Sequence, residues 1–293
     1  MTLRFAYNTN GAANHRLDDA LTLIADAGYD GVALTLDIHH LDPFADDWAR
    51  EVERVASRLE RLGLGSVIET GARFLLDPTA KHEPTLVTAD AAGRARRVGF
   101  LKRAVEIGAI LKSEAVSFWA GVPKEGVDRA EAHGWLVDGL AEVAAHAGEH
   151  GVVPCLEPEP GMLIETLDDF AALSVPGLRL ALDTGHCLVT GERDPAAAVS
   201  EFADRIGTVA IEDMARGVHV HLPFGEGDMD VPGVLGALEA IGFSRLICVE
   251  LSRESHRADV MIPRSLAYLK ECRRPGPGLP PAPDTSAYET RIL

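Results

Sequence analysis

A short apolar run gives way, again and again along this chain, to a longer segment whose apolar residues recur every three or four positions. The short runs read as buried strands and the longer segments as amphipathic helices. Residues 3–7 form the first run, and the polar stretch 8–14 after it reads as a loop. Leu17, Ala20, Leu21, Ile24 and Ala27 then keep helical spacing up to Gly28, a residue suited to ending a helix. The same unit returns with a run at 31–36 and a helix carrying Val52, Val55, Leu59 and Leu62. A third run, 65–68, reaches Glu69, and a long loop separates it from the helix bearing Val98, Leu101 and Val105. The fourth unit pairs 115–119 with Leu136, Leu140, Val143 and Ala147.

The second half repeats the pattern. Residues 152–156 deliver Glu157, and Thr166 with Asp168 and Asp169 reads as a capped helix start. The run 180–182 stops at Asp183, followed by a Thr-Gly turn and His186. Asp194-Pro195 opens a short helix toward Phe202. The run 206–211 reaches Glu212, and a long Gly-rich loop, 214–230, holds His219 and His221. Val234, Leu235, Leu238 and Ile241 mark the next helix, 246–249 delivers Glu250, and the last helix runs from Pro263 to Glu271. Eight such units in strict alternation favour an α/β fold of one kind, a single-domain (β/α)8 TIM barrel over 1–272. The Pro-rich residues 273–293 cannot continue a helix and read as a flexible tail.

Charge narrows the partners. A formal net charge of −17 removes the electrostatic drive for binding phosphate backbones, so nucleic acid and anionic membrane surfaces are not expected partners. No apolar stretch approaches the roughly 20 residues that span a bilayer. The N-terminus lacks a signal-peptide pattern, and the four cysteines have no Cys-x-x-Cys spacing, so a cytoplasmic protein with free thiols is expected. Self-association into a homo-oligomer is left open.

Glu157, Asp183 and Glu250 each close a strand run, and barrel sites lie where strands end. One such acid is readily explained by a nearby arginine or by helix amides. Three together point to a cation or to proton transfer, because unpaired buried charge is expensive. An oxygen-rich set with one or two imidazoles suits Mg, Mn or a related divalent ion. Such an ion, with two carboxylates flanking a carbon next to a carbonyl, supports isomerase, epimerase or dehydratase chemistry.

Leu156-Glu157-Pro-Glu159, Leu182-Asp183-Thr-Gly-His186, Phe224-Gly-Glu-Gly-Asp228 and Val249-Glu250-Leu251, in that order, resemble the sugar phosphate isomerase/epimerase family of xylose-isomerase-like barrels. The resemblance implies one divalent metal (Mn, Mg, Co or Zn) on Glu157, Asp183, a strand-seven His and Glu250. It also implies that Glu157 and Glu250 move the substrate proton through a metal-stabilised enediolate, and that His186 contacts substrate. The implied substrate is a sugar, sugar phosphate or cyclitol. This chain departs from the pattern at Ala210, where relatives carry the strand-seven His. Glu212 shares the pleat face of Ala210 and is the expected replacement ligand, with His219 or His221 as alternatives from the loop. Glu69, Arg73, Trp119, His219, His221 and Arg253 complete the expected substrate-binding set. Two alternatives accompany this reading: an inosose-type dehydratase, and a barrel depleted of metal that binds a small polar ligand without turning it over.

Overall fold

The computed structural model describes residues 2–273. The expected tail therefore lies outside the described residues, apart from Arg273, which follows the last helix. Eight parallel strands close a barrel: β1 (Arg4–Asn8), β2 (Gly31–Thr35), β3 (Gly65–Glu69), β4 (Val116–Trp119), β5 (Pro154–Glu157), β6 (Arg179–Asp183), β7 (Ile206–Ile211) and β10 (Leu246–Val249). β10 pairs with both β7 and β1 to complete the ring, with Ala6 beside Cys248 and Val249 beside Ile211. The outer layer contains α1 (Leu17–Ala27), α2 (Trp48–Leu62), α3 (Ala91–Leu111), α4 (Arg129–His150), α5 (Leu167–Ala172), α6 (Thr184–Thr190), α7 (Pro195–Glu201), α8 (Val231–Ala240) and α9 (Ala258–Cys272).

Strand periodicity divides the core in two. Along β2 every residue is buried, but Val32 and Leu34 face the helices while Ala33 faces the barrel axis with Ala6, Val67, Cys155, Ala181 and Cys248. Burial on both sides explains why these strands read as continuous apolar runs rather than alternating ones. The axial residues are mostly small, and that leaves room at the carboxyl end of the barrel. The same parity aims the acids: Glu69 follows Val67 by two, Glu157 follows Cys155, Asp183 follows Ala181 and Glu250 follows Cys248.

Local chemistry sets the boundaries. α1 and α2 end at Gly28 and Gly63, both in the left-handed region, as expected from sequence. Thr166 and Asp169 form a reciprocal capping box at the start of α5.

Four segments differ from the sequence reading. The expected loop after β1 contains a 3-10 turn, Thr9–Ala12, capped by the Asn8 side chain. The expected Thr-Gly turn after β6 is instead the first turn of α6, because Asp183 Oδ1 accepts from the Gly185 and His186 amides at 2.7 and 3.1 Å. The expected loop 214–230 contains an antiparallel hairpin, β8 (Asp213–Ala215) and β9 (Val218–Leu222), turning through Arg216 and Gly217. Val218, Val220 and Leu222 alternate with His219 and His221 there, a period-two signal hidden by the neighbouring glycines. The last helix begins at Ala258 and carries Pro263 in its interior. Burial of Ala258, Met261 and Ile262 outweighs the roughly 3 kcal/mol that an internal proline costs.

No helix among the described residues is long and apolar enough to cross a membrane. Cys155, Cys187 and Cys248 are buried free thiols, and Cys272 is half-buried and also free.

Candidate active site

A cavity opens at the carboxyl end of the barrel, with Glu69, Glu157, Asp183 and Glu250 in its wall and Ala33, Ala181 and Cys248 among its lining. Glu157, Asp183 and Glu250, each expected from its strand end, thus share one space. Around the ring β7 and β6 separate β10 from β5, so Glu250 and Glu157 face the cavity from well-separated strands.

Each carboxylate has a different set of partners. Glu250 Oε1 accepts from Asn10 Nδ2 at 2.9 Å. Asn10 is held by Asn8, whose Oδ1 accepts from the Asn10 amide and from the Thr35 hydroxyl. Asp183 spends Oδ1 on capping α6, while its Oδ2 lies 3.4 Å from His186 Nε2. His186 donates from Nδ1 to the Pro158 carbonyl at 3.0 Å, and its Nε2 meets His219 Nε2 at 3.1 Å. His186 Nε2 is also 3.8 Å from Glu159, and its Nδ1 is 3.8 Å from Glu157.

Glu212 lies just beyond β7 with no exposed surface. Its carboxylate and that of Asp183 come together with the His221 ring, donor atoms of all three lying within 4.8 Å of one another. His221 Nδ1 is 3.9 Å from Glu212 Oε2. Glu157, Asp183 and His186 form a second such group, and Glu159, His186 and His219 a third. A fourth, His146, Glu149 and His150, is on α4 in the outer layer.

The electrostatics follow from burial and from the lack of basic side chains. No lysine or arginine pairs with Glu157, Asp183 or Glu212 among the described residues. Burial, and then the neighbouring Glu159, holds the Glu157 carboxyl well above the usual range. Burial, with the Asp183 charge adding to it, does the same to Glu212, and burial with the Glu250 charge does so to Glu69. Glu159 is pushed up to about 7 by burial, against the pull of His186. Burial would also raise Asp183, but His186 and His221 outweigh it and hold that group below its usual value. Burial opposes a charge on His186, yet Asp183 and Glu159 prevail and raise it. His219 falls to about 4 through burial and the neighbouring His186 and His221.

The remaining expected residues divide. His186, His219 and His221 are not in the cavity lining, but His186 lies next to Asp183 and β9 brings His219 and His221 against it, with ring centroids 4.8 and 6.5 Å from His186. Glu69 lines the cavity. Trp119, Arg73 and Arg253 do not. The Trp119 indole is covered by the Arg97 guanidinium at 4.4 Å and meets His82 edge-on, so packing occupies it. Arg73 is half-buried in the loop after β3, and Arg253 is exposed beyond β10. Three participants were not anticipated: Asn8, Asn10 and Glu159. Asn8 ends β1, Asn10 follows it by two, and Glu159 lies two residues past Glu157, so the rule that barrel sites gather at strand ends contained the signal.

Solved structures with this arrangement of strands and helices include several sugar epimerases. L-ribulose 3-epimerase superposes with a TM-score of 0.74 at 23% identity, over 93% of this chain and 96% of its own. The 3-keto-D-glucoside 4-epimerase YcjR from E. coli gives 0.75 at 17% identity, over 92% and 100%. The IolI protein with a bound zinc atom gives 0.72 at 19%, over 92% and 98%. At such identities the likeness establishes the fold. Comparison with curated protein sequences returns no match. A family model described as xylose isomerase-like TIM barrel matches residues 21–272, a span that contains seven of the eight barrel strands and every acid in the cavity wall. With the closed barrel and its acid-lined mouth, that match makes the chain a member of the xylose isomerase-like TIM barrel family.

Proposed function

We infer that this protein is a metal-dependent isomerase or epimerase acting on a sugar, sugar phosphate or cyclitol. The observation that carries the reading is the meeting of Glu157, Asp183 and Glu250 in one cavity with no lysine or arginine partner among the described residues. The epimerases sharing the fold act, by their names, on L-ribulose and on 3-keto-D-glucosides, which supports the sugar class.

The donor set fits a divalent ion. Asp183 Oδ2, both Glu212 carboxylate oxygens and His221 Nδ1 are buried without a hydrogen-bond partner among the described residues, a costly state for carboxylates unless a cation shares them. Glu157, Asp183, Glu212 and Glu250 are the carboxylates that would hold it. When bound, the ion supplies positive charge against the negative charge that develops on substrate oxygens as a neighbouring C–H proton leaves.

The rest falls to the chain's own groups. Glu157 and Glu250, on separate strands across the cavity, remove and return the proton. Asn10 fixes the Glu250 carboxylate through its 2.9 Å hydrogen bond. His186 is locked by Pro158 and His219 close to Asp183, and its ring meets substrate beside the cavity, with Glu69 in the wall and His219 and His221 on the hairpin next to His186.

Deuterium uptake from heavy water into ketoses, ketose phosphates and inososes tests the proposal. Exchange that requires added Mn, Mg, Co or Zn is expected. Loss of water in place of exchange would indicate the dehydratase, and no reaction with any compound or metal would overturn the isomerase reading.

A further inference from the structure

Beside Asp183 on β7 stands Ala210, where the resemblance to the family implies a His ligand, and the structure brings the His221 imidazole to the same neighbourhood. Resting on the metal-dependent reading above, we propose that the hairpin β8–β9 supplies the missing ligand. His221 joins Asp183 and Glu212 to hold a divalent transition-metal ion beside Ala210, on the hairpin side of the cavity.

Partner accounting selects this group among the three that overlap at the barrel mouth. In the groups containing His186, the imidazole nitrogens are already committed, Nδ1 to the Pro158 carbonyl and Nε2 to His219. In the Asp183, Glu212 and His221 group, four buried donor atoms have no partner among the described residues. Glu212 has no exposed surface, so water from bulk does not reach its carboxyl group. Two carboxylates and an imidazole nitrogen within 4.8 Å are a mixed N/O donor set of the kind that suits Zn, Mn or Co.

The hairpin is built to hold a ligand in place. Its entry is fixed by Asp213, whose carboxylate accepts from the Gly225 and Met229 amides. Its tip is tied to α6 by the Gly217 amide, which donates to the Leu188 carbonyl at 3.2 Å. The tip is held a second time by Asp228, which accepts from the Arg216 amide at 2.9 Å. His221 therefore stands on a paired strand rather than in an open loop, and its ring is held in place before any ligand arrives. A closer device lies opposite. A Cβ at position 185 would fall 2.3 Å from Glu212 Oε1, so only glycine there lets the carboxylate occupy its place.

Titration of the metal-free protein with Mn(II) and Zn(II) tests the assignment, read by calorimetry and by nitrogen coupling in the pulsed EPR spectrum of the Mn(II) form. His221→Ala should weaken binding by at least the roughly 10- to 100-fold lost when a ligand's partner is removed, and should abolish the coupling. His219→Ala should alter affinity by less than about 3-fold, well below that range, and keep the coupling. Adding Ala210→His to His221→Ala should restore both, which separates ligation from a folding defect. If His221→Ala binds as tightly as the parent while Glu250→Gln does not, the hairpin assignment falls and the isomerase reading stands. No binding by the parent protein would remove both.

Discussion

Gly185→Ala isolates the placement of one carboxylate. The added methyl would begin 2.3 Å from Glu212 Oε1 and 2.9 Å from two Met214 side-chain carbons, where ordinary contact starts at 3.4 Å. The Glu212 carboxylate is the mobile end of its side chain, so it retreats by about 1 Å. Overpacking of this kind costs about 1–3 kcal/mol, and the better helix propensity of alanine in α6 returns up to about 1 kcal/mol. The net loss of up to about 3 kcal/mol lowers the melting temperature by up to about 12 °C for a domain of this size. Metal affinity should suffer more, about 10- to 100-fold, because a displaced ligand loses its geometry even in a folded protein. Thermal unfolding of the metal-free variant and Mn(II) calorimetry on the same preparation separate the two effects. A folded variant with parental Mn(II) affinity would refute the placement of Glu212 among the ligands.

Glu157→Gln and Glu250→Gln should each reduce turnover by about 10²- to 10⁴-fold while changing KM little, since an amide keeps the shape but accepts no proton; near-normal turnover would clear that residue of the role. Asn10→Ala removes the hydrogen bond that orients Glu250 and should reduce turnover by about 10- to 100-fold, the equivalent of about 1.5–3 kcal/mol for a bond to a charged group. The prediction fails if only KM rises. His40, buried near Asp37 and the exposed His39 and bonded to the His15 carbonyl, sits below its ordinary value of 6.5, with burial the largest cause. The unfolded chain therefore takes up that proton first as pH falls, so the stability His40 contributes is complete above about 6.5 and is lost toward its lower folded value. Melting curves between pH 8 and 5 should show a smaller acid-side loss in His40→Gln than in the parent, and parallel curves would contradict the assignment.

His40 also shows where reading the chain alone goes astray. Nothing local separates the adjacent pair, yet His39 is exposed and His40 is buried, because only the folded loop brings the His15 carbonyl within reach. What the sequence determined by itself is what short-range physics controls. Helical spacing, the stops at Gly28 and Gly63 and the capping pair Thr166 and Asp169 depend on neighbours a few residues away. The strict alternation of units then leaves a closed parallel barrel as the economical architecture, and its strand ends mark Glu69, Glu157, Asp183 and Glu250 as neighbours. Tertiary structure decided what depends on distant partners. It turned a Gly-rich loop into a hairpin through Asp213 and Asp228, carried a helix through Pro263, and withdrew Trp119 behind Arg97. It also left Glu212 buried without a partner beside Asp183 and His221. No local pattern encodes that meeting, because β6, the end of β7 and β9 reach one point only when the barrel has closed.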